Sequence, residues 1–133
     1  MVLNLPSRVR VYFAKEATDM RKSFDGLCAL VEHRFRRDPY AGDLFVFVNR
    51  RGTFLKMLLW DANGFVLVAK RLESGTFERW QPTAGDETHV EISRAQLLML
   101  LEGVDLKKAE FRRHFARSIT VGKHGQRSRG DTG

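Results

Sequence analysis

The chain has 133 residues, of which 43% are hydrophobic, and a formal net charge of +7. This length supports one domain with one core and leaves no room for a second domain of ordinary size. No apolar run approaches the roughly 18 residues that span a bilayer, and residues 1–10 lack the layout of a secretory signal. We therefore expect a cytoplasmic protein with no membrane partner. The single cysteine, Cys28, excludes an internal disulfide and a cysteine-built zinc site.

The positive charge is concentrated near the C-terminal end. Leu106–Gly133 holds eight Lys or Arg against two Asp or Glu, a net charge of +6. A near-neutral body with a strongly basic extension indicates a polyanionic partner. Nucleic acid is favoured over a membrane because no long amphipathic anchor accompanies the charge. We therefore predict DNA as a partner and association with the nucleoid.

The first elements are a short strand and a long helix. Val9–Ala14 begins with the alternation of a strand that could pair at an edge of the following sheet. Thr18 or Asp19 is then a predicted N-cap, and the helix should run to about Arg37 and end at Asp38-Pro39. Its apolar stripe is Met20, Phe24, Leu27, Val31 and Phe35. We expect the middle three of these side chains to pack against the sheet.

The centre of the chain predicts a three-stranded antiparallel meander. Its apolar runs are Leu44–Val48, Thr53–Trp60 and Phe65–Ala69, all rich in Val, Phe and Leu. The breaks Asn49–Gly52 and Asp61–Gly64 are typical of hairpin loops. Because the strands hold few polar positions, the sheet should be covered on one face and partly covered on the other.

The remaining elements complete an α+β fold. Thr76–Trp80 is a candidate fourth or edge strand, and His89–Ile92 a brief strand. Ser93 and Gln96 form a capping box for a helix over Arg94–Glu102. We thus predict a mainly antiparallel sheet of four to five strands with a central three-stranded meander, one long helix packed on a face, and a shorter C-terminal helix.

We expect the folded domain to cover residues 1–105. Residues 106–133 should form a basic C-terminal extension, in which Leu106–Ser118 is an amphipathic helix and Thr120–Gly133 is disordered when free. The apolar stripe of that helix needs a surface to cover it. The sequence leaves three surfaces open: the domain itself, a second copy, or another protein.

The search for catalytic chemistry gives one weak candidate. The four histidines show no metal-ligand spacing, and the glycines occur singly, as in turns. Asp61, Asp43 and either Asp19 or Asp25 could in principle hold Mg²⁺ as in acidic-triad nucleases. Turn and cap roles explain the same acids better. We therefore predict a protein without a metal or cofactor, and not an enzyme.

Basic residues at hairpin tips and strand exits form the candidate nucleic-acid site. The predicted phosphate contacts are Arg50, Arg51, Lys56, Lys70, Arg71, Arg112, Arg113 and Arg117. The aromatic residues between the strand cations are Phe45, Phe47, Phe54 and Trp60. Such rings could stack on bases, although their dense apolar runs favour burial in the core. The flexible tail is the better candidate, since it gains affinity by counterion release without a preformed site.

Five ordered segments carry a family resemblance. They are Thr18–Leu27, Gly42–Gly52, Leu55–Asp61, Lys70–Phe77 and Leu97–Gly103. Together they resemble the TnpB-type accessory proteins of bacterial insertion sequences of the sixty-six family, from about Val9 to Asp105. Val48 stands where that family commonly has Arg, which removes one basic group from the first hairpin.

The resemblance implies a protein encoded beside a transposase that contributes to transposition, while strand cutting belongs to the separate transposase. It implies the transposase as a partner and leaves a homodimer open. Two alternatives remain: a protein–protein interaction module that does not bind DNA directly, and a Mg²⁺-dependent nuclease.

Overall fold

The structure, a computed structural model, describes residues 5–78 and 87–104. The chain separates into two units, Met1–Gly103 and Val104–Gly133, and the first of these is described below. The predicted boundary at residue 105 and the predicted helix and tail beyond it lie outside the described residues, so they stay predictions.

Five strands and two helices make up the described part of the first unit. In chain order they are β1 (Val11–Ala14), α1 (Phe24–Ala29) with a π-helical turn (Leu30–Arg34), β2 (Leu44–Val48), β3 (Phe54–Asp61), β4 (Gly64–Arg71), β5 (His89–Ile92) and α2 (Arg94–Glu102).

The strands form one mixed sheet in the order β4-β3-β2-β1-β5. The predicted meander of β2, β3 and β4 is confirmed, with Leu58 of β3 opposite Phe45 of β2 and Leu67 of β4. The pairing of β1 with β2 is parallel, with Val11 opposite Leu44. The sheet is therefore less purely antiparallel than expected, because α1 returns the chain to the starting end of β1 before β2 begins.

The two helices cover opposite faces of the sheet. We call these the α2 face and the α1 face. The core on the α2 face is formed by Val11, Phe13, Leu44, Val46, Val48, Leu55, Met57, Phe77, Ile92, Leu97, Leu100 and Leu101. The core on the α1 face is formed by Tyr12, Ala14, Leu27, Val31, Phe35, Phe45, Phe47 and Leu58. Since neighbouring side chains of a strand point to opposite faces, the wholly apolar β1 and β2 supply both cores.

The first helix is shorter than predicted and begins at Phe24, not at Met20. Its predicted first turn is replaced by a non-helical segment because the Lys56 ammonium binds two of its carbonyls. The Lys56 Nζ donates to Met20 O and to Lys22 O, each at 2.8 Å. In a helix those oxygens would accept from amides four residues later.

Two further expectations about packing are wrong in part. Leu27 and Val31 are fully buried against the sheet as predicted, but Phe24 at the start of α1 is 43% exposed. The predicted strand from Thr76 is reduced to a single β-bridge at Thr76 and does not continue through Phe77 and Glu78, and Trp80 lies outside the described residues. Instead the buried Phe77 donates its amide to Gly52 O at 2.6 Å, which ties this segment to the first hairpin.

The predicted capping box of α2 is confirmed. The Ser93 Oγ accepts from the Gln96 amide at 3.0 Å, and the Gln96 Oε1 accepts from the Ser93 amide at 2.7 Å. Gly103 ends the helix at φ +75°, and a Cβ there would lie 2.9 Å from a Leu72 methyl carbon. A residue with a side chain would be strained at this φ and would have to displace the Leu72 methyl group.

His89 is held in its neutral form against the core of the α1 face. The Arg37 Nε donates to His89 Nε2 at 2.8 Å, so the ring proton is on Nδ1, which lies 2.8 Å from Thr88 Oγ1. The ring stacks on Phe35 with centroids 4.7 Å apart. Burial, and then the Arg37 guanidinium, lower the pKa of His89 below its ordinary value, while Glu87 opposes the shift.

Burial also determines the protonation state of Cys28, the single cysteine. Cys28 is half-buried in α1 beside the core of the α1 face. Burial raises the pKa of its thiol, and Glu32 and Asp25 act in the same direction. The side chain is thus a protonated thiol that contributes packing.

We predict that Arg36→Gly stabilises the fold by about 1 kcal/mol, because Arg36 closes the π-helical turn at φ +56°, where a Cβ costs roughly 1–2 kcal/mol. Arg36→Ala is the matched control: it removes the same charge but keeps the Cβ. Urea unfolding of the three proteins measures the effect. Equal stability of the Gly and Ala variants would contradict the assignment of strain.

We predict that stability falls as the pH drops below the ordinary histidine pKa of about 6.5. Because the pKa of His89 is lower in the folded than in the unfolded chain, the unfolded chain binds more protons in the window between the two values. The contribution is therefore complete above about pH 6.5 and is lost as the pH falls toward the folded value.

The melting temperature measured from about pH 7.5 down to pH 5 tests this. His89→Gln retains an acceptor for Arg37 and should flatten the acid-side loss, whereas His33→Gln, at an exposed helix position, should leave it unchanged. An identical acid-side loss in His89→Gln would show that another group is responsible.

Candidate nucleic-acid interface

The first hairpin holds two arginines at a well-defined exposed tip. The Asn49 side chain accepts from the Thr53 amide at 2.9 Å, and its carbonyl accepts from the Gly52 amide at 3.0 Å. Gly52 is buried at φ +74°, where glycine is favoured. Arg50 and Arg51 lie between these bonds and are exposed, and neither forms an ion pair with an acid of the described residues.

Next to the hairpin, three residues form what we call the Phe54 cluster: Phe54, Lys56 and Arg71. Arg71 lies directly opposite Phe54 in the β3–β4 register, and its Cζ is 4.9 Å from the centre of the ring. The Lys56 Nζ is 5.8 Å from the same ring. Both distances are within the range of cation–π contacts. The cluster presents an exposed guanidinium beside a half-buried ring on the α1 face.

Lys56 also has a structural role that the sequence did not reveal. Two of its three donors are used by the carbonyls of Met20 and Lys22. The predicted phosphate contact at Lys56 can therefore involve one remaining donor and the positive charge. On this face Arg71 is therefore better placed than Lys56 to donate to a phosphate, because its side chain is exposed whereas Lys56 is half-buried.

Lys70 is separated from the other predicted cations. Alternation places it on the α2 face, opposite Leu55, while Arg71 lies on the α1 face. Its Nζ donates to Leu101 O at 2.5 Å, close to the C-terminal end of α2, where a cation complements the helix dipole. Lys70 and Arg71, both predicted as phosphate contacts, therefore lie on different faces of the sheet. The predicted Arg112, Arg113 and Arg117 lie outside the described residues.

The aromatic residues divide between core and surface. Phe45 and Phe47 are buried, at 1% and 0% exposure, as the core interpretation expects. Trp60 is half-buried on the same face as Phe54, and its ring centre lies 4.9 Å from Phe65 and 5.0 Å from Tyr40.

We call Tyr40, Trp60 and Phe65 the aromatic cluster. Tyr40 is 55% exposed, and sequence reasoning missed it because it follows the helix in a loop with no periodic pattern. Phe65 was foreseeable from the hairpin, since a two-residue loop after Asp61 places it opposite Trp60.

The α1 face of β3 and β4 thus carries cations at one end and rings at the other. We call this the β3–β4 surface, formed by the Phe54 cluster and the aromatic cluster. Phe54 and Trp60 are six residues apart on β3, roughly 20 Å along the strand. Phosphate contacts at one end and base stacking at the other are chemically available on one strip.

The acids proposed as a metal site are not assembled into one. Asp43 precedes β2 and Asp61 ends β3, so both lie at the same end of the sheet. Asp19 lies at the other end, because the amide of the preceding Thr18 donates to Val48 O at the end of β2. Over residues 5–78 and 87–104, no group of three or more His, Cys, Asp or Glu is arranged to hold a metal ion.

Asp19 has a different partner. The Arg21 guanidinium donates to both of its carboxylate oxygens, with Nη2 2.7 Å from Oδ2, and the Arg21 amide donates to Oδ1 at 2.9 Å. These hydrogen bonds lower the pKa of Asp19 to about 2. The side chain shapes the segment before α1 as a charged turn residue.

Within the described ranges, neither helix has the length and apolar content needed to cross a membrane. No solved structure matches the chain significantly. Two curated proteins of Sinorhizobium fredii (strain NBRC 101917 / NGR234) are similar to it, and both are described as uncharacterized. Protein y4hO is 42% identical over 103 residues, covering 76% of this chain and 87% of its own length. Protein y4jC is 38% identical over 101 residues, covering 75% and 84%.

The family described as IS66 Orf2 like protein matches residues 9–111. That range contains all five segments on which the resemblance to the TnpB-type proteins was based, and the resemblance is confirmed. The chain belongs to the IS66 Orf2-like family of insertion-sequence proteins.

Proposed function

We propose that this chain is a non-catalytic accessory factor of DNA transposition that contacts DNA phosphates through the first hairpin and the β3–β4 surface. Membership in the family associates the chain with transposition of an insertion sequence. The observation that carries the DNA contact is the Phe54 cluster, in which the exposed Arg71 lies beside the Phe54 ring. Phe54 is the first β3 residue after the hairpin that carries the exposed Arg50 and Arg51.

The contacts on this surface suit recognition without sequence reading. Guanidinium groups at a hairpin tip and a strand end reach phosphate oxygens, which look alike in every sequence. The aromatic cluster adds ring surface that stacks on any exposed base. The predicted tail cations Arg112, Arg113 and Arg117 would add counterion release to the same binding event.

The DNA contact predicts a steep salt dependence. If about six phosphates are neutralised, the logarithm of the binding constant should fall with the logarithm of salt concentration at a slope of roughly −5. Replacing Arg50, Arg51 and Arg71 together by Ala should make that slope less negative by roughly 3. Gel shifts at several salt concentrations, with the terminal repeats of the element and with random duplex, measure it.

The matched control removes three exposed arginines outside the first hairpin and the β3–β4 surface: Arg8, Arg10 and Arg36. Its slope should stay close to that of the wild type. A flat salt response of the wild type would contradict the DNA contact, and equal changes of slope in both triple variants would show that net charge is the cause.

The non-catalytic part of the proposal predicts that incubation of the protein with Mg²⁺ and DNA gives no strand cleavage. Mg²⁺-dependent cleavage that is lost in Asp61→Asn would contradict it.

A second candidate function, an interaction module that engages the transposase, is favoured by the outer side of α2. Leu98 and Met99 there are 47% and 63% exposed, although both are large apolar side chains. A helix side of this kind fits a hydrophobic groove of a partner.

We predict that Met99→Glu reduces co-purification with the transposase of the same element at least tenfold, because a charge would be buried in an apolar contact. Ser7→Glu is the control, with the same new charge at an exposed position outside α2. Co-purification is measured by quantitative immunoblot after nuclease treatment. Unchanged recovery of Met99→Glu would exclude this side of α2.

A further inference from the structure

The two edge strands of the sheet, β5 and β4, differ in length and in charge. β5 is an edge of four residues, and its exposed Glu91 carries an ion pair with Arg10 at 3.9 Å. Short, charged edges of this kind discourage pairing with other strands. β4 is an edge of eight residues and has no charged residue from Gly64 to Ala69.

β4 also presents apolar surface next to its outer backbone row. Within the described residues its strand partner is β3 alone. Val66 on the α2 face is 41% exposed, and Phe65 and Leu67 on the α1 face are half-buried. A long apolar edge is a template for strand addition, which proteins blunt when they do not use it. Among residues 5–78 and 87–104, β5 is thus the short, charged edge and β4 the long, apolar edge without a second strand partner.

We propose that β4 pairs antiparallel with β4 of a second copy, around a two-fold axis through Leu67, so that two five-stranded sheets join into one of ten strands. The pairing uses the outer backbone row of β4, whereas the proposed DNA contact uses side chains on the α1 face, and Phe65 is the residue that the two share. A two-fold arrangement uses the same strand on both copies, so one edge suffices for a closed dimer.

Self-complementarity is what identifies a second copy as the occupant. With Leu67 opposite Leu67, Val66 of each copy faces Val68 of the other on the α2 face, and Phe65 faces Ala69 on the α1 face. Each Lys70 then faces a Gly64. Every apolar side chain meets an apolar one, and the cations Lys70 and Arg71 lie at opposite ends of the pair. A parallel arrangement would place them side by side.

The register leads to a specific arrangement of the Phe54 cluster. Because the two-fold axis is perpendicular to the joined sheet, both clusters lie on the same side. Each Arg71 is four residues from the axis, which separates the two by roughly 26 Å along the strand direction.

The oligomeric state of the full chain tests the proposal. Light scattering after size exclusion should give twice the 15.3 kDa of one chain. Val66→Lys should halve that mass with an unchanged circular dichroism spectrum, because an exposed edge lysine opposes strand addition. Val66→Thr, which keeps the β-branched shape, should stay dimeric. A monomeric wild type, or a folded Val66→Lys variant that stays dimeric, overturns the proposal.

Cross-linking tests the register and does not depend on the folding of Val66→Lys. Leu67→Cys in a Cys28→Ser background places two thiols on directly opposed residues, with Cα atoms about 4.5–5.5 Å apart, within disulfide range. Mild oxidation should give a covalent dimer, whereas Ala95→Cys on α2 in the same background should not. No disulfide at Leu67, or equal dimer from both variants, overturns the pairing through β4.

Discussion

The structure depends on the need to cover both faces of a sheet whose central strands are apolar at every position. All residues of β1 and β2 are buried, so neither face of these strands can meet water. The chain meets this constraint by placing α1 on one face and α2 on the other, each with a narrow set of buried side chains. The outer strand β4, whose residues are all partly or fully exposed, contributes to the proposed DNA surface and forms the proposed dimer edge.

Much of this arrangement was predictable from local patterns. The Asn49–Gly52 and Asp61–Gly64 breaks predicted the meander, and Ser93 with Gln96 predicted the start of α2 correctly. What failed depended on contacts between residues distant in sequence. The Lys56 ammonium prevents a helical first turn by taking two carbonyls of the segment before α1. The parallel pairing of β1 with β2 likewise has no local signal, since a strand shows the same alternation in either direction.

The candidate site was predictable as a set of residues but not as a surface. Sequence position grouped Lys70 with Arg71, yet the alternation of side chains divides them between two faces. Lys56 and Lys70 each donate to backbone carbonyls, so these strand cations stabilise the fold in addition to any contact with a partner. Arg50, Arg51 and Arg71 have the exposed donors that a phosphate needs. Tyr40 belongs to this surface only because the loop before β2 places its ring beside Trp60.

The central claim is that DNA meets the α1 face of β3 and β4 together with the first hairpin. Backbone amide chemical shifts of the full chain, recorded with and without duplex DNA, test it most directly. The account predicts shift changes concentrated at residues 49–56 and 69–72, which weaken as salt is added. Changes confined to α2 or to the β1–β5 side of the described domain, with the hairpin unaffected, would contradict it.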